Sequence, residues 1–246
     1  MAPFIKLVSL NIEGNKHLER VVPFLEKSEA DIICLQELLE PEFNLLTKKL
    51  RMPGMFAPAT RIGEKDAKNI SGMPAVEGVG MLTRLPFTLI EHKYYSGSHH
   101  PIPHFVYGDM STVNRALVIA KIHKDGAQFT IATTHFTWTP DGEADDRQRR
   151  DMAGMLRALD SAGEFALAGD FNAPRGREIF NDLAVLYKDN IPEKYTSSID
   201  PNLHTHGKPS LMVDGLFTTP AFDARNVELV CGLSDHCAVT GEIYRQ

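Results

Sequence analysis

The first forty residues place a helical segment between two apolar runs, and this order restricts the possible folds more than any other feature. Residues 4–12 (FIKLVSLNI) and 30–38 (ADIICLQEL) are apolar over lengths typical of buried strands. Between them, residues 17–30 carry apolar side chains at helical spacing, which predicts an amphipathic helix. A strand–helix–strand order of this kind is typical of a parallel α/β unit.

The rest of the chain contains more strand-like segments than one doubly wound sheet needs. Further helices are predicted over 41–50, 143–162 and 175–186, and strands over 78–87, 114–122, 127–136, 164–172, 211–219, 226–230 and 237–244. The sequence HKDG joins two of these strands as a hairpin. We therefore expect an α/β (α+β) fold of two packed β-sheets with helices outside, in a single domain over residues 1–246. Long loops are expected over 51–77, 91–113 and 188–210.

Charge and cysteine content limit the functional class. The net charge of −6 argues mildly against a dedicated duplex-DNA binder, and it leaves room for a divalent metal or a small phosphorylated substrate. Cys34, Cys231 and Cys237 form no CxxC pair, which predicts reduced, partly buried thiols in a cytoplasmic protein. No segment approaches the roughly 18 apolar residues that a membrane span needs.

Polar residues interrupt or end many of the apolar strands. Each residue alone has a simpler explanation as a cap, a turn former or a hydrogen-bonded structural histidine. Asp214 is harder to explain in this way, because an acid between Val213 and Leu216 is costly to bury without a partner. The whole set consists of Asn11, Gln36, Glu37, Arg115, His135, Asp170, Asn172, Asp214, Asp235 and His236.

Taken together, these side chains predict one site assembled at an edge of the β structure. Carboxylate and amide oxygens are ligands that Mg²⁺ or Mn²⁺ prefers, and an Asp–His pair can orient and charge an imidazole. Asn and Arg side chains can donate hydrogen bonds to phosphate oxygens. Because the chain has neither a GxSxG elbow nor a Walker lysine loop, hydrolysis of a phosphate ester fits better than acyl transfer.

Five motifs, in this order, resemble the endonuclease/exonuclease/phosphatase superfamily of exonuclease III and DNase I-like proteins. They are Asn11 after the first strand, LQEL at 35–38, GDFN at 169–172, Asp214 in a late strand and SDH at 234–236. The resemblance extends from about residue 5 to residue 242. It implies a four-layer α/β/β/α sandwich, a divalent metal, Mg²⁺ or Mn²⁺, and in-line attack of water on phosphorus.

The resemblance also implies roles for the residues that would bind the metal and for the Asp–His pair. Glu37 would be the principal Mg²⁺ ligand, with Asn11 and Asp235 beside it, directly or through water. His236 would contact the scissile phosphate as a general base or an electrostatic stabiliser. Asp214 would hold the imidazole of His236 in its working orientation.

The remaining roles concern the attacking water and the substrate. Asp170 would position or deprotonate the water, and Asn172 would donate to the phosphate or to the transition state. His135, in TTHF, matches a second active-site histidine of several members, and Arg115 matches, more loosely, a phosphate-binding side chain. Trp138 is a candidate for the lining of the same cleft or for packing.

The substrate is open at this level. A phosphodiester of nucleic-acid or nucleotide type is favoured, with a phosphomonoester of a sugar or inositol as the alternative. The basic cluster RQRR at 147–150 is better explained as the solvated face of a helix than as a nucleic-acid contact. Aromatic and histidine side chains in loop 91–113 could stack on a base or a sugar, or pack the loop.

Two further classes remain as alternatives. A zinc enzyme could use the histidine-rich segments 99–104 and 204–206, because zinc favours imidazole ligands, although no HExxH spacing supports it. A catalytically inactive binding module could keep the fold, but the complete set of motif residues argues against it. No membrane span and no protein partner are predicted.

Overall fold

The computed structural model describes residues 2–204 and 209–246 as strands and helices that alternate along the chain. The strands of this part of the chain are β1 (Phe4–Asn11), β2 (Ile32–Leu39), β3 (Gly54–Ile62), β4 (Ala75–Thr83), β5 (Phe87–Ser96), β6 (Arg115–Lys124), β7 (Ala127–His135), β8 (Ala166–Asp170), β9 (Lys188–Asp189), β10 (Asp214–Thr218), β11 (Phe222–Val230) and β12 (Ala238–Arg245). The α-helices are α1 (Leu18–Ser28), α2 (Glu40–Leu50), α3 (Glu64–Ile70), α4 (Asp146–Asp160) and α5 (Glu178–Leu186).

The strands form two six-stranded mixed sheets. The first has the order β11-β12-β1-β2-β4-β3 and the second the order β5-β6-β7-β8-β10-β9. The predicted parallel unit is present, since β1 pairs in parallel with β2 across α1. A second parallel pair joins β7 to β8, and α4 forms its crossover. The prediction of two packed sheets in a DNase I-like four-layer sandwich is therefore confirmed.

Alternating side chains along the strands produce three apolar layers. Leu7 belongs to the cluster between the sheets, whereas its neighbour Val8 packs with the buried face of α1. This is the two-residue period of a strand with both faces covered. A third cluster packs α4 and α5 against the outer face of the second sheet, with Met155 and Phe180 among its members. The two sheets thus form the centre, and the helices form the outside.

All three predicted long loops contain some regular structure. The predicted loop 51–77 holds β3 and α3, and β5 extends to Ser96, into the predicted loop 91–113. The predicted strand 78–87 is two strands, β4 and β5. Both β3 and β5 lie at sheet edges, where strands are half exposed and tolerate residues such as Pro58. Their hydrophobic patterns are therefore weak, which explains the error. Within 188–210, β9 adds a two-residue strand.

The prediction of three reduced thiols is wrong for two of the cysteines. Cys231 and Cys237 form a disulfide, with their Cα atoms 4.2 Å apart. Val230 pairs with Ala238 at the ends of β11 and β12, so the two cysteines face each other where these strands separate. Sequence spacing does not reveal this pairing. Cys34 is the free thiol, and it is buried in the layer between the sheets.

Within the described residues, no helix has both the length and the apolar character that crossing a membrane requires. The assignment of residues 1–246 to one domain stays a prediction.

Candidate active site

Strand pairing brings the predicted polar residues to one edge of the two sheets. In the first sheet, Asn11 is the register partner of Gln36, one residue before Glu37. In the second sheet, Asp170 pairs with His135 on one side and with Asp214 on the other. Residues 25, 35 and 44 positions apart in sequence are therefore neighbours because of the sheet register.

Two site residues have backbone conformations that favour glycine. Glu37 has φ 49° and lies at a break in the β2–β4 register, between Leu35 and Leu38. Asn172 also has φ 49°. Such conformations are uncommon outside glycine and are concentrated at functional sites, and a bulge redirects a side chain out of the strand pattern. At both positions, the backbone departs from regular geometry where the site needs a side chain.

The amide of Asn11 connects the two acidic residues at the bottom of the site. Its Nδ2 atom donates to Glu37 Oε1 and to Asp170 Oδ2, both at 3.0 Å. Burial and the neighbouring Glu77 and Asp235 raise the pKa of Glu37 to about 8. A cation beside these carboxylates would relieve their repulsion, and oxygen donors of this kind suit Mg²⁺ or Mn²⁺. The residues present therefore fit the metal that the resemblance implies.

A buried imidazole lies between two carboxylates. His236 Nδ1 is 2.8 Å from Asp214 Oδ2, and its Nε2 is 3.8 Å from Asp170 Oδ2. Burial by itself lowers the pKa of His236, but Asp214 and Asp170 together raise it well above its ordinary value. Burial, with Asp214 nearby, raises the pKa of Asp170 to about 6. The donor atoms of these three residues lie within 4.8 Å of one another. A proton shared within this group fits better than a metal, because a protonated imidazole is not a ligand.

The second histidine has the opposite electrostatic environment. His135 Nε2 is 3.5 Å from Asp170 Oδ2 and 3.9 Å from Glu37 Oε1. Burial, the guanidinium of Arg115 and the imidazole of His236 lower the pKa of His135 well below its ordinary value. One imidazole is therefore held charged and the other neutral, and pairs of groups with opposite pKa shifts are typical of sites that transfer protons.

Arg115 and Glu77 complete the charges around the site. Arg115 is buried, and its guanidinium donates to the backbone carbonyl of His135 at 3.2 Å. The charge of Glu77 opposes the lowering of the pKa of Arg115 by burial, and it raises the pKa of Glu37. Glu77 is absent from the residues predicted from the sequence, because it belongs to an edge of the predicted loop 51–77 with no recognisable motif.

These groups open into a cleft of about 440 Å³. Asn172 lies in its wall, with its side-chain amide donating to the carbonyl of Phe136 at 3.0 Å. Trp138 also lines the cleft and is 47% exposed. From the predicted loops come Tyr107, which is 83% exposed, and Ile199. The structure thus brings every predicted site residue to one region, while their roles stay predictions.

The other sequence features lie elsewhere or serve packing. Tyr94 stacks on His99, with ring centroids 4.8 Å apart, and the Tyr95 hydroxyl lies 2.8 Å from Thr134 Oγ1. Within RQRR, Arg149 on α4 forms a solvated ion pair with Glu178 on α5. Among residues 2–204 and 209–246, two groups of side chains have the spacing of metal ligands, Asp170–Asp214–His236 and Asp200–Cys231–Cys237, and neither contains a histidine of the segment 99–104. His204 lines the cleft, and His206 lies outside the described residues.

The chain is similar to a known protein family over most of its length. The sequence profile described as "Endonuclease/Exonuclease/phosphatase family" matches residues 8–236. No curated protein matches the chain.

Several solved structures share the fold over nearly the whole chain. The crystal structure of an endonuclease/exonuclease/phosphatase from Bacteroides vulgatus is 18% identical, with a TM-score of 0.73, and the similarity covers 99% of this chain and 100% of that one. The human Nocturnin catalytic domain with bound sulfate is 19% identical, with a TM-score of 0.71 and coverage of 99% and 94%. The Bacteroides thetaiotaomicron mannosyl-6-phosphatase is 13% identical, with a TM-score of 0.67 and coverage of 97% and 99%.

Proposed function

This chain belongs to the endonuclease/exonuclease/phosphatase family, whose members are hydrolases of phosphate ester bonds, and from that premise we propose that it is a Mg²⁺-dependent phosphodiesterase with nucleic-acid or nucleotide-like substrates. The observation that carries the proposal is the position of Asp170. Its carboxylate lies within 3.0–3.8 Å of Asn11, His135 and His236 at the bottom of one cleft. Mn²⁺ is the alternative metal.

In this proposal, Glu37, Asn11 and Asp235 hold the cation. When it is bound, the cation neutralises charge on the phosphate and stabilises the leaving oxygen. The crowding of carboxylates around Glu37 supports this assignment, because Glu77 and Asp235 both raise the pKa of Glu37 and a cation would relieve this repulsion.

The protein's own groups then perform the remaining steps. Asp170 accepts a proton from the attacking water, which His135 helps to orient. The charged imidazole of His236, held by Asp214, stabilises the charge that develops on the phosphate oxygens. Asn172 and Arg115 donate to these oxygens, and Trp138 contacts the substrate.

A substrate panel tests the proposal. It contains single-stranded DNA, abasic duplex, bis-p-nitrophenyl phosphate, and sugar and inositol monophosphates, each with Mg²⁺, Mn²⁺ or EDTA. We expect metal-dependent cleavage of diesters, and a fall of about 10²–10⁴-fold in kcat for His236→Ala and Asp170→Ala. Asp182→Ala, an exposed acid on α5, is the matched control and keeps wild-type kcat.

The other outcomes separate the alternatives. Turnover of monoesters alone would assign a phosphomonoesterase, and no turnover on the whole panel would assign a binding module. Activity that survives Glu37→Ala but fails in His204→Ala would favour the zinc alternative. Wild-type turnover in both His236→Ala and Asp170→Ala would contradict the proposed site.

The cytoplasmic location stays a prediction. It rested on three reduced thiols, and two of these, Cys231 and Cys237, form a disulfide.

A further inference from the structure

A second pocket, of about 220 Å³, opens beside the catalytic cleft and shares three lining residues with it. The shared residues are Glu37, Trp138 and Asn172, whereas Asp170 and His236 line the larger cleft alone. We call this space the side pocket. A ligand bound at Glu37 can therefore extend in two directions, into the catalytic cleft and into the side pocket.

The walls of the side pocket are mostly apolar. They come from the end of β3, the end of α3 and the segment before β6, and they consist of Ile62, Ile70, Phe105, Met110 and Val113. Ile62 and Val113 are buried, while Ile70, Phe105 and Met110 are partly exposed. Apolar walls with a few polar groups at one place are typical of small-molecule sites.

Backbone hydrogen bonds hold these walls in position. The backbone NH of Phe105 donates to the carbonyl of Arg61 at 3.0 Å, and the NH of Arg61 donates to the carbonyl of Pro103 at 2.8 Å. Further along, the hydroxyl of Thr60 donates to the carbonyl of Thr112 at 2.8 Å. The segment that carries Phe105 is thus joined to β3, and a wall fixed in this way binds a ligand with little loss of its own freedom.

The charged groups of the side pocket define what can enter it. Glu37 and Glu77 both line it, so a second phosphate is disfavoured by like charge. Arg115 also lines the pocket, and its Nε atom is buried without a hydrogen-bond partner among the described residues. The volume lies below the roughly 300–1,000 Å³ of complete small-molecule sites, so the pocket suits one ring-sized group of a larger substrate.

We propose that the side pocket binds an aromatic or similarly flat apolar substituent esterified to the scissile phosphate, while the catalytic cleft receives the polar part of the substrate. This inference rests on the proposed function, because it places the phosphate at Glu37. It makes Phe105 and Met110 determinants of specificity in a pocket that His135 and Arg115 also line.

Binding of non-hydrolysable phosphonates tests the inference without turnover. Trp138 is the single tryptophan of the chain and lines both spaces, so its fluorescence reports ligands in either one. Benzylphosphonate and methylphosphonate are titrated in the presence of Mg²⁺. Because the benzyl ring would be buried against apolar walls, we expect benzylphosphonate to bind at least about tenfold more tightly than methylphosphonate.

Variants locate the ring. The preference is the ratio of the affinity for benzylphosphonate to the affinity for methylphosphonate. In Phe105→Ser this ratio should fall toward one. Met110→Ser should have the same effect and serves if the first variant fails to fold. Leu211→Ser, in the wall of the catalytic cleft, should keep the preference. Val185→Ser is the surface control, since Val185 is exposed on α5 and should change neither affinity.

The outcomes separate this inference from the proposed function. Equal affinities in the wild-type protein, or a preference lost in Leu211→Ser and kept in both side-pocket variants, would overturn the side-pocket assignment while diester cleavage persists. A confirmed preference for benzylphosphonate without any diester cleavage would support binding in the side pocket and refute the proposed phosphodiesterase activity. Binding of neither phosphonate while diester cleavage persists would overturn the side-pocket assignment alone, and the same result without cleavage would overturn both.

Discussion

The Nδ1 atom of His236 lies 2.8 Å from Oδ2 of Asp214, and both side chains are buried. Asp214 begins β10, and His236 precedes β12 in the other sheet, so this contact joins the two sheets at the site. It directs Nε2 of His236 toward Asp170, 3.8 Å away. The buried acid at the start of β10 thus has its partner, and that partner is a candidate catalytic group.

Asp214→Asn tests whether this contact orients and charges the imidazole. The amide has nearly the same shape but no charge, so it favours the wrong tautomer of His236. We expect kcat to fall by about 10²–10⁴-fold with little change in KM. Nitrogen NMR should show His236 as an imidazolium in the wild-type protein and with a lowered pKa in Asp214→Asn, while Asp182→Asn changes neither kcat nor the spectrum. An unchanged protonation state with full activity would refute the role of Asp214.

Much of the site could be predicted from the sequence, since each strand delivers one polar residue at its end. Asp214 and the SDH motif signalled chemistry because a buried acid and an adjacent imidazole are costly without partners. Glu77 gave no such signal. It lies near the start of β4, in a segment predicted as a loop, and only the fold shows that it approaches Glu37. The register that brings Asp170 next to His135 is also a three-dimensional property.

The Cys231–Cys237 disulfide closes the short segment that carries Asp235 and His236. Hydrogen bonds also hold this segment, including one from the backbone NH of Cys237 to the carbonyl of Ser198 at 2.7 Å. In a variant with both cysteines replaced by Ser, we expect the free energy of unfolding to fall by about 2 kcal/mol. Because Asp235 and His236 would be held less tightly, kcat should fall by up to about 10²-fold.

Denaturant unfolding and diester cleavage, each with and without a dithiol reductant, measure these effects. The wild-type protein should change on reduction as the double variant does, while the double variant itself should be insensitive to the reductant. Cys34→Ala is the control that keeps the disulfide. Full activity and stability in the reduced wild-type protein would show that the disulfide does not support the site.

Burial raises the pKa of Cys34 to about 12, against an ordinary value of 9.0. The folded protein therefore holds this proton more tightly than the unfolded chain does. The resulting stabilisation is complete below pH 9 and is lost as the pH rises toward 12. We expect no rapid reaction of the native, unreduced protein with a thiol reagent at pH 8, and one reactive thiol after unfolding. Two rapidly reacting thiols in the native protein would contradict the disulfide.

The central strands of the fold could be predicted from the sequence, whereas two of the edge strands could not. The central strands β1, β2, β6, β7 and β8 are continuous apolar runs because both of their faces are covered, and they were predicted close to their observed positions. The edge strands β3 and β5 have one free side, and their half-exposed residues resemble a loop in composition. Such edge strands can be identified only from the strands they pair with, and the sequence does not show this pairing.

Gly169 precedes Asp170 and has φ +156°, a conformation that is essentially restricted to glycine. A Cβ at this position would lie 2.1 Å from the carbonyl oxygen of Thr134 on β7. Gly169→Ala must therefore shift β8 against β7 and displace Asp170. We expect it to lower the free energy of unfolding by more than about 2 kcal/mol, and to lower kcat as well. Gly63→Ala is the matched control, because a Cβ at Gly63 meets no atom within 4 Å, and it should cost less than about 1 kcal/mol. Denaturant unfolding of both variants measures the difference. Equal stability of the two would mean that the β7–β8 pairing accepts a side chain at position 169, and that the close approach of these strands does not fix Asp170.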